Sequence, residues 1–273
     1  MPATSHPERL VQEFHDNSKA LAEAFLASPT AHLDSYPQLC WPADNVTALA
    51  SLLQHDDLFG TQFRAAFDHW MTWTEQHSDP LTKLPAGHLS SRSGDLLQPA
   101  RGCANSWIMA LAPQMDASFA RTMYHRYREH FLINRLGISM FREYPKKVSL
   151  PADVDSGPIV WSAGVTATGV GLAAALSNGD YRTADDIFGL ATGLGLKRNL
   201  THDNHQCTQY LLGFVPVGHA FLTWAHSLPI PDAPISSRRS VGAKLWARRP
   251  FIVLFFVYSL ILFFCMRRLL RRS

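Results

Sequence analysis

Apolar residues recur along this chain at helical spacing. Leu10, Phe14, Leu21 and Phe25 fall on one stripe of a first helix, close to the 3.6-residue period. A short apolar helix follows Asp44, from Asn45 to Leu53. Phe63, Phe67, Trp70 and Trp73 stripe a third helix. Ala104 to Leu111 gives a fourth, and Asp116 to Phe131 a fifth with an Arg- and His-rich outer face. Thr166 to Leu176 is small and apolar on every side, so it is expected to be buried. Tyr181 to Leu194 is amphipathic. Thr208 to Trp224 reads as a mostly apolar helix kinked at Pro216. An amphipathic helix is followed by an apolar one four times over. The predicted fold is all-α, an incomplete α/α toroid of four helical hairpins, with amphipathic helices outside and apolar helices inside.

Charge changes this picture at the C-terminus. Nine of the 25 Lys and Arg lie after Ser237 and no Asp or Glu does, leaving 16 cations against 22 anions before it. An acidic head argues against a nucleic-acid partner, whose phosphates demand basic surface. Phe251 to Met266 is a run of 16 uncharged residues bracketed by paired arginines. As a helix it would be about 24 Å long at ~1.5 Å per residue, short for a bilayer core of roughly 30 Å but workable with snorkelling arginines. The organisation expected is a toroid head over residues 1–227, a Pro- and Ser-rich linker with its basic flank over 228–247, and a transmembrane anchor with a basic tail over 248–273. Met1 to Arg9 is polar and carries no secretory signal, so this reading places a single-pass protein in a membrane, lipid bilayer as a partner, head in the cytosol. The four cysteines are scattered with no CxxC pair, which argues against a disulfide framework or a structural zinc site.

Polar loops precede each expected inner helix: Trp41 to Asn45, Pro99 to Cys103, Pro151 to Pro158, and Thr201 to Gln206. Inner helices of a toroid run in the same sense, so these loops are expected to meet at one mouth, where helix N-termini favour anionic groups. Asp44, Asp153 and Asp155 are the candidate catalytic carboxylates. Two carboxylates in different surroundings can split into acid and base; against this stand an N-cap for Asp44 and an Asx turn for the Asp153 loop. Asn45, Arg101, Trp161, His202 and His205 are the candidate substrate-binding residues. Arg101 can equally be a structural salt bridge. His202, Asp203, His205 and Cys207 resemble part of a metal cluster but show no fourth ligand, so no metal and no cofactor are assigned. Most of the tryptophans read as core packing; Trp161, just after Asp155, is the best pocket-lining candidate.

At these same loops the chain resembles the linalool dehydratase-isomerase family, all-helical α/α-barrel enzymes. The likeness is carried by Tyr36 to Leu52 (YPQLCWPADNVTALASL), Ser93-Gly94, Ser106-Trp107, Met115 to Ala120 (MDASFA) with Tyr124 and Phe131, and Asp153 to Gly157 (DVDSG) through to Gly179-Asp180. The resemblance implies cofactor-free interconversion of linalool, myrcene and geraniol by acid/base side chains that include two loop cysteines. Here those cysteine positions fall on Ser35 and Asp44, and Cys40 lies between them. The family's earlier hairpins are also lacking. The ring would be open, be closed by self-association into a homo-oligomer, or belong to a longer chain. The function expected is cofactor-free dehydration, hydration or isomerisation of a lipophilic small molecule. The alternatives are a non-catalytic binding module or a carbohydrate-active enzyme on the same fold.

Overall fold

The computed structural model of the chain describes residues 6–135, 137–193, 197–202, 205–210, 216–229, 231, 233–238, 253 and 256–261. In chain order the elements are α1 (His6–Ala27), β1 (Leu39–Cys40), α2 (Pro42–Phe59), α3 (Arg64–Gln76), β2 (His88–Ser90), β3 (Leu96–Gln98), α4 (Gly102–Met115), α5 (Ala117–Phe131), β4 (Leu132–Arg135), β5 (Ile138–Phe141), β6 (Ile159–Val160), β7 (Ala163–Gly164), α6 (Val165–Ser177), α7 (Tyr181–Gly193), β8 (Lys197–His202), β9 (His205–Tyr210) and α8 (Pro216–Ala225).

The apolar helices stand together. α2, α4 and α6 pack side by side, and α8 lies against α6. Their hydrogen bonds show that α2, α4 and α6 run in one direction. Trp107 Nε1 of α4 donates to Thr47 Oγ1 of α2 at 2.7 Å, each six residues into its helix. Ser106 Oγ donates to Ala167 O near the start of α6, while Asn178 Nδ2, just past the end of α6, donates to Met109 O further along α4. That last bond has a sequence cause. Pro113 has no N–H to give to the carbonyl four residues back, so Met109 O is released and taken at 2.8 Å by Asn178 and at 3.3 Å by Ser177 Oγ.

The amphipathic helices cover this group. Phe25 of α1, Phe67 and Trp70 of α3, and Tyr124, Tyr127 and Phe131 of α5 are fully buried beside Leu49, Leu52 and Ile108 of the apolar helices. Each such side chain contributes about 1.5–3 kcal/mol through burial. Helix ends follow their caps. Pro42 starts α2 with its fixed φ, and Gly60 ends it in the left-handed region at φ 67°. Asp116 caps α5 by accepting from the Ser118 and Phe119 N–H groups. α1 is tied to α2 by a relay. Thr61 Oγ1 gives its proton to Asp56 at 2.6 Å, so it accepts from His55 Nδ1. Neutral His55 then presents a bare Nε2, and His15 Nδ1–H of α1 donates to it at 2.7 Å.

Two expectations are corrected here. The fold is not all-α: among the described residues nine short strands form four small antiparallel sheets, β1-β2-β3, β4-β5, β6-β7 and β8-β9. Most are two to four residues long, too short to show a period-two pattern. In the longest pair, β8-β9, the end of β9 takes up Thr208 to Tyr210, the first residues of the stretch read as an apolar helix. The described part of the expected helix is α8, with Pro216 as its first residue, and residues 211–215 lie outside the described residues. The second correction concerns the C-terminal span, and with it the membrane anchor, the bilayer partner and the single-pass placement. Among the described residues no helix is long and apolar enough to cross a membrane. The 16-residue run falls below the ~20 residues a span needs. Of that run only Val253 and Phe256 to Ile261 are described, in helical conformation; the rest lies outside the described residues.

Candidate functional site

The N-terminal ends of α2, α4 and α6 share one rim. Trp41, which caps α2, stacks on His88 of β2 with ring centroids 5.1 Å apart. His88 Nδ1 donates to Gln98 Oε1 at 3.2 Å, and the same oxygen accepts from Arg101 Nη1 at 3.5 Å. Arg101, 3% exposed, caps α4 and is the hub of the rim. Its Nε donates to Glu143 Oε1 at 2.9 Å, and its two terminal nitrogens grip the two oxygens of Asp153 at 2.7 Å each. One guanidinium thus serves two carboxylates, Glu143 by a single bond and Asp153 by the planar fork. Tyr144 places its ring 5.8 Å from the guanidinium carbon, and Cys103 Sγ donates to Glu143 Oε1 at 3.1 Å.

Two glycines make this proximity. The Gly102 N–H donates to Glu143 O at 2.7 Å, and a Cβ on Gly102 would lie 1.8 Å from Arg142 O. Only a residue without a side chain lets the 142–143 segment run across the start of α4. Gly164 does the same on the other side, where a Cβ would lie 2.6 Å from Glu143 Oε2. The Glu143 N–H donates to Ser162 O at the turn between β6 and β7, so that hairpin is fastened to the backbone of the same residue.

Position sets the electrostatics. Glu143 is fully buried, and its Oε2 has no hydrogen-bond partner. Burial pushes its carboxyl above the ordinary glutamate value, and the Cys103 and Arg101 hydrogen bonds and charge offset this only in part. Asp153 moves the other way. Burial would raise it, but the Arg101 fork and the Ser156 N–H, at 2.9 Å, hold it below the ordinary aspartate value. Burial first, then the neighbouring Glu143 charge, push the Cys103 thiol up, so it stays protonated at neutral pH. For Arg101, burial works against the charge, yet the Asp153 hydrogen bond and the neighbouring acidic groups raise it on balance. With Oε1 of Glu143 accepting from two donors, the proton of a neutral Glu143 belongs on Oε2.

The residues singled out in the sequence are spread unevenly around this hub. Arg101 and Asp153 are joined directly. Asp155, two residues on, is exposed and outside the arginine's grip, so the carboxylate pair here is Glu143 with Asp153. Asp44 is exposed in the first turn of α2, one turn from Trp41, and the cap position belongs to Trp41. Asn45 is buried and its amide is consumed by the fold: Oδ1 accepts from the Leu33 N–H at 2.7 Å, and Nδ2 donates to Leu33 O, Cys40 Sγ and Trp41 O. Trp161 is 64% exposed at the β6-β7 turn with φ 50°, unusual for a bulky residue. His202 and His205 are backbone partners at the end of the antiparallel β8-β9 pair, so both stand on strands where a loop leading into a helix was expected; Asp203 and Asn204 lie outside the described residues. Among the described residues no group of three or more His, Cys, Asp or Glu side chains is placed to hold a metal ion.

Glu143 and Cys103 were not among the sequence candidates. Glu143 stands in Phe141-Arg-Glu-Tyr-Pro145, where nothing in the local pattern separates a buried carboxyl from a solvated one. Cys103 carried a usable signal, since it lies directly after Arg101-Gly102 at the start of an apolar helix. No protein-family model matches the chain, and no curated protein matches it.

Proposed function

We propose that the chain is an acid/base enzyme that dehydrates, hydrates or isomerises a small, mainly apolar alcohol or alkene, with its chemistry at the Arg101 rim. The observation that carries this reading is the pair of carboxyl groups sharing one guanidinium and displaced in opposite directions, Glu143 up and Asp153 down. Carboxyl groups displaced apart in this way take different roles in acid/base chemistry. Asp153, with 42% of its side chain exposed, is the base that a substrate can reach. The half-buried Cys103 thiol is the acid, its S–H oriented by Glu143 Oε1. In a dehydration, Cys103 protonates the departing hydroxyl as the C–O bond breaks, Asp153 takes the proton from the adjacent carbon as the double bond forms, water leaves, and solvent returns the Asp153 proton to the Cys103 thiolate. Arg101 and Glu143 are positioning residues. The likeness to linalool dehydratase-isomerases supports this reaction class, although the family's two cysteine positions are Ser35 and Asp44 in this chain and Cys103 is at neither.

A second reading, a non-catalytic helical module, has one observation in its favour. Both Asp153 oxygens are already taken by Arg101, and one also accepts the Ser156 N–H, as in a structural clamp. Turnover separates the two. A panel of small terpenoid and aliphatic alcohols is incubated with the full chain and followed by mass spectrometry. The enzyme reading expects product formation that falls about 10²–10⁴-fold in Asp153→Asn and in Cys103→Ser. Product unchanged in both variants, or absent across the panel, favours the clamp.

A further inference from the structure

The far ends of α2, α4 and α6, away from Arg101, frame a cleft of about 640 Å³. This lies within the usual size of a small-molecule site. Its walls are slim, with Ala50 and Leu53 from α2 and Ala117 and Ala120 from α5, and Pro229, Pro231, Ala233 and Ile235 form one edge. That edge is held by Ser236, whose N–H bonds Gly179 O at 3.1 Å and whose Oγ bonds Asp180 at 3.0 Å. Two opposite charges line the cleft, Asp57 and Arg121, both exposed. Among the described residues neither makes a side-chain hydrogen bond or ion pair, with each other or with any other group.

Each charge also sits at the wrong end of its helix. Asp57 lies in the last turn of α2, where the carbonyl end repels an anion. Arg121 lies five residues into α5, towards the amide end, which repels a cation. The same placement occurs elsewhere, with Arg64 opening α3, Glu75 near its end and Arg182 near the start of α7; Asp57 and Arg121 differ in lining one cleft. Two local violations facing one cavity, with no protein partner for either, indicate a partner from outside.

We propose that this cleft binds a small zwitterion, a slim apolar body with an ammonium group at the Asp57 end and a carboxylate or other anionic oxyacid at the Arg121 end. An ammonium beside Asp57 and the carbonyl ends of α2, α4 and α6 relieves like-sign repulsion there, and the anion does so beside Arg121. The site is separate from the Arg101 rim, and its test does not depend on turnover.

The probe is ε-aminocaproate, titrated calorimetrically into the full chain at neutral pH, with hexylamine and caproate as singly charged controls. Saturable binding of ε-aminocaproate, at least about tenfold tighter than either control, is the expected result. Asp57→Asn and Arg121→Gln should each lower that affinity about tenfold, with only the first weakening hexylamine. Ala117→Trp, at an exposed wall position, should abolish binding by filling the cleft. The proposal is overturned if the three compounds bind alike, if ε-aminocaproate shows no saturation at millimolar concentration, or if the charge variants bind as the parent does.

Discussion

The two ends of the parallel apolar helices solve their electrostatics in opposite ways. At the N-terminal rim the charges of the Arg101 hub are paired with one another, and the Arg101–Glu143 pair is buried. Arg101 and Glu143 expose 4% and 0% of their side chains, and Asp153 closes the fork. At the far end Asp57 and Arg121 stand apart on an open cleft. A buried charge removed from its partner costs several kcal/mol, whereas an exposed one costs almost nothing. The rim is therefore where the fold depends on its charges, and the cleft is where charges remain free for a ligand.

The sharpest way to break this contrast is Arg101→Met, which strands two carboxyl groups at the rim. A loss of about 3–5 kcal/mol is expected by urea denaturation, and a loss below 1 kcal/mol would mean that the rim tolerates unpaired charge. Acid should come next. The loop leading to the rim side of α2 carries His32, buried, with its Nε2 accepting from Trp70 Nε1 at 2.9 Å and its Nδ1–H donating to Thr30 O at 2.7 Å. Burial first, with the charge of His77 adding and the Thr30 bond opposing, lowers it from 6.5 to about 4. The fold thus prefers neutral His32, and the unfolded chain takes up the proton first. Its contribution is complete above about pH 6.5 and is lost as pH falls towards 4, about 3 kcal/mol in all for a displacement of this size. Denaturation midpoints measured between pH 7 and pH 4 check it, and His32→Gln should flatten that slope.

Smaller effects are expected towards the cleft. Asn178→Ala removes the donor that holds Met109 O and should cost about 1–2 kcal/mol by the same measurement. A Pro113→Ala background restores an N–H for that carbonyl and should reduce the cost. Ala117→Trp, on the exposed wall, should shift stability by no more than about 0.5 kcal/mol. A large loss there would show that the cleft is part of the packed body.

How much of this could be read from the residues depended on range. Helical stripes such as Phe63, Phe67, Trp70 and Trp73 declare themselves within one element, because burial on one face repeats every three to four positions. The all-apolar Thr166 to Leu176 pointed to a helix buried on all sides, and α6 lies there. Arg101 and Asp153 stood out as charges in loops entering apolar helices. Their meeting, and the identity of the second carboxyl group, did not, because Glu143 arrives from a strand end some forty residues from Arg101 and depends on the absence of side chains at Gly102 and Gly164. The pair expected from adjacency, Asp153 with Asp155, gave way to one made by close backbone approach. The short sheets were missed for a similar reason, since two-residue strands such as β6 and β7 exist only through their partner.

Site-resolved ¹³C NMR titration of the side-chain carboxyl carbons tests the divided pair at the rim most directly. Asp153 should titrate below the ordinary aspartate value and Glu143 above the ordinary glutamate value, with Arg101→Met drawing the Asp153 midpoint upward. If Glu143 and Asp153 both titrate at ordinary values in the intact chain, one guanidinium is not dividing two carboxyl groups, and the acid/base account of the rim is contradicted.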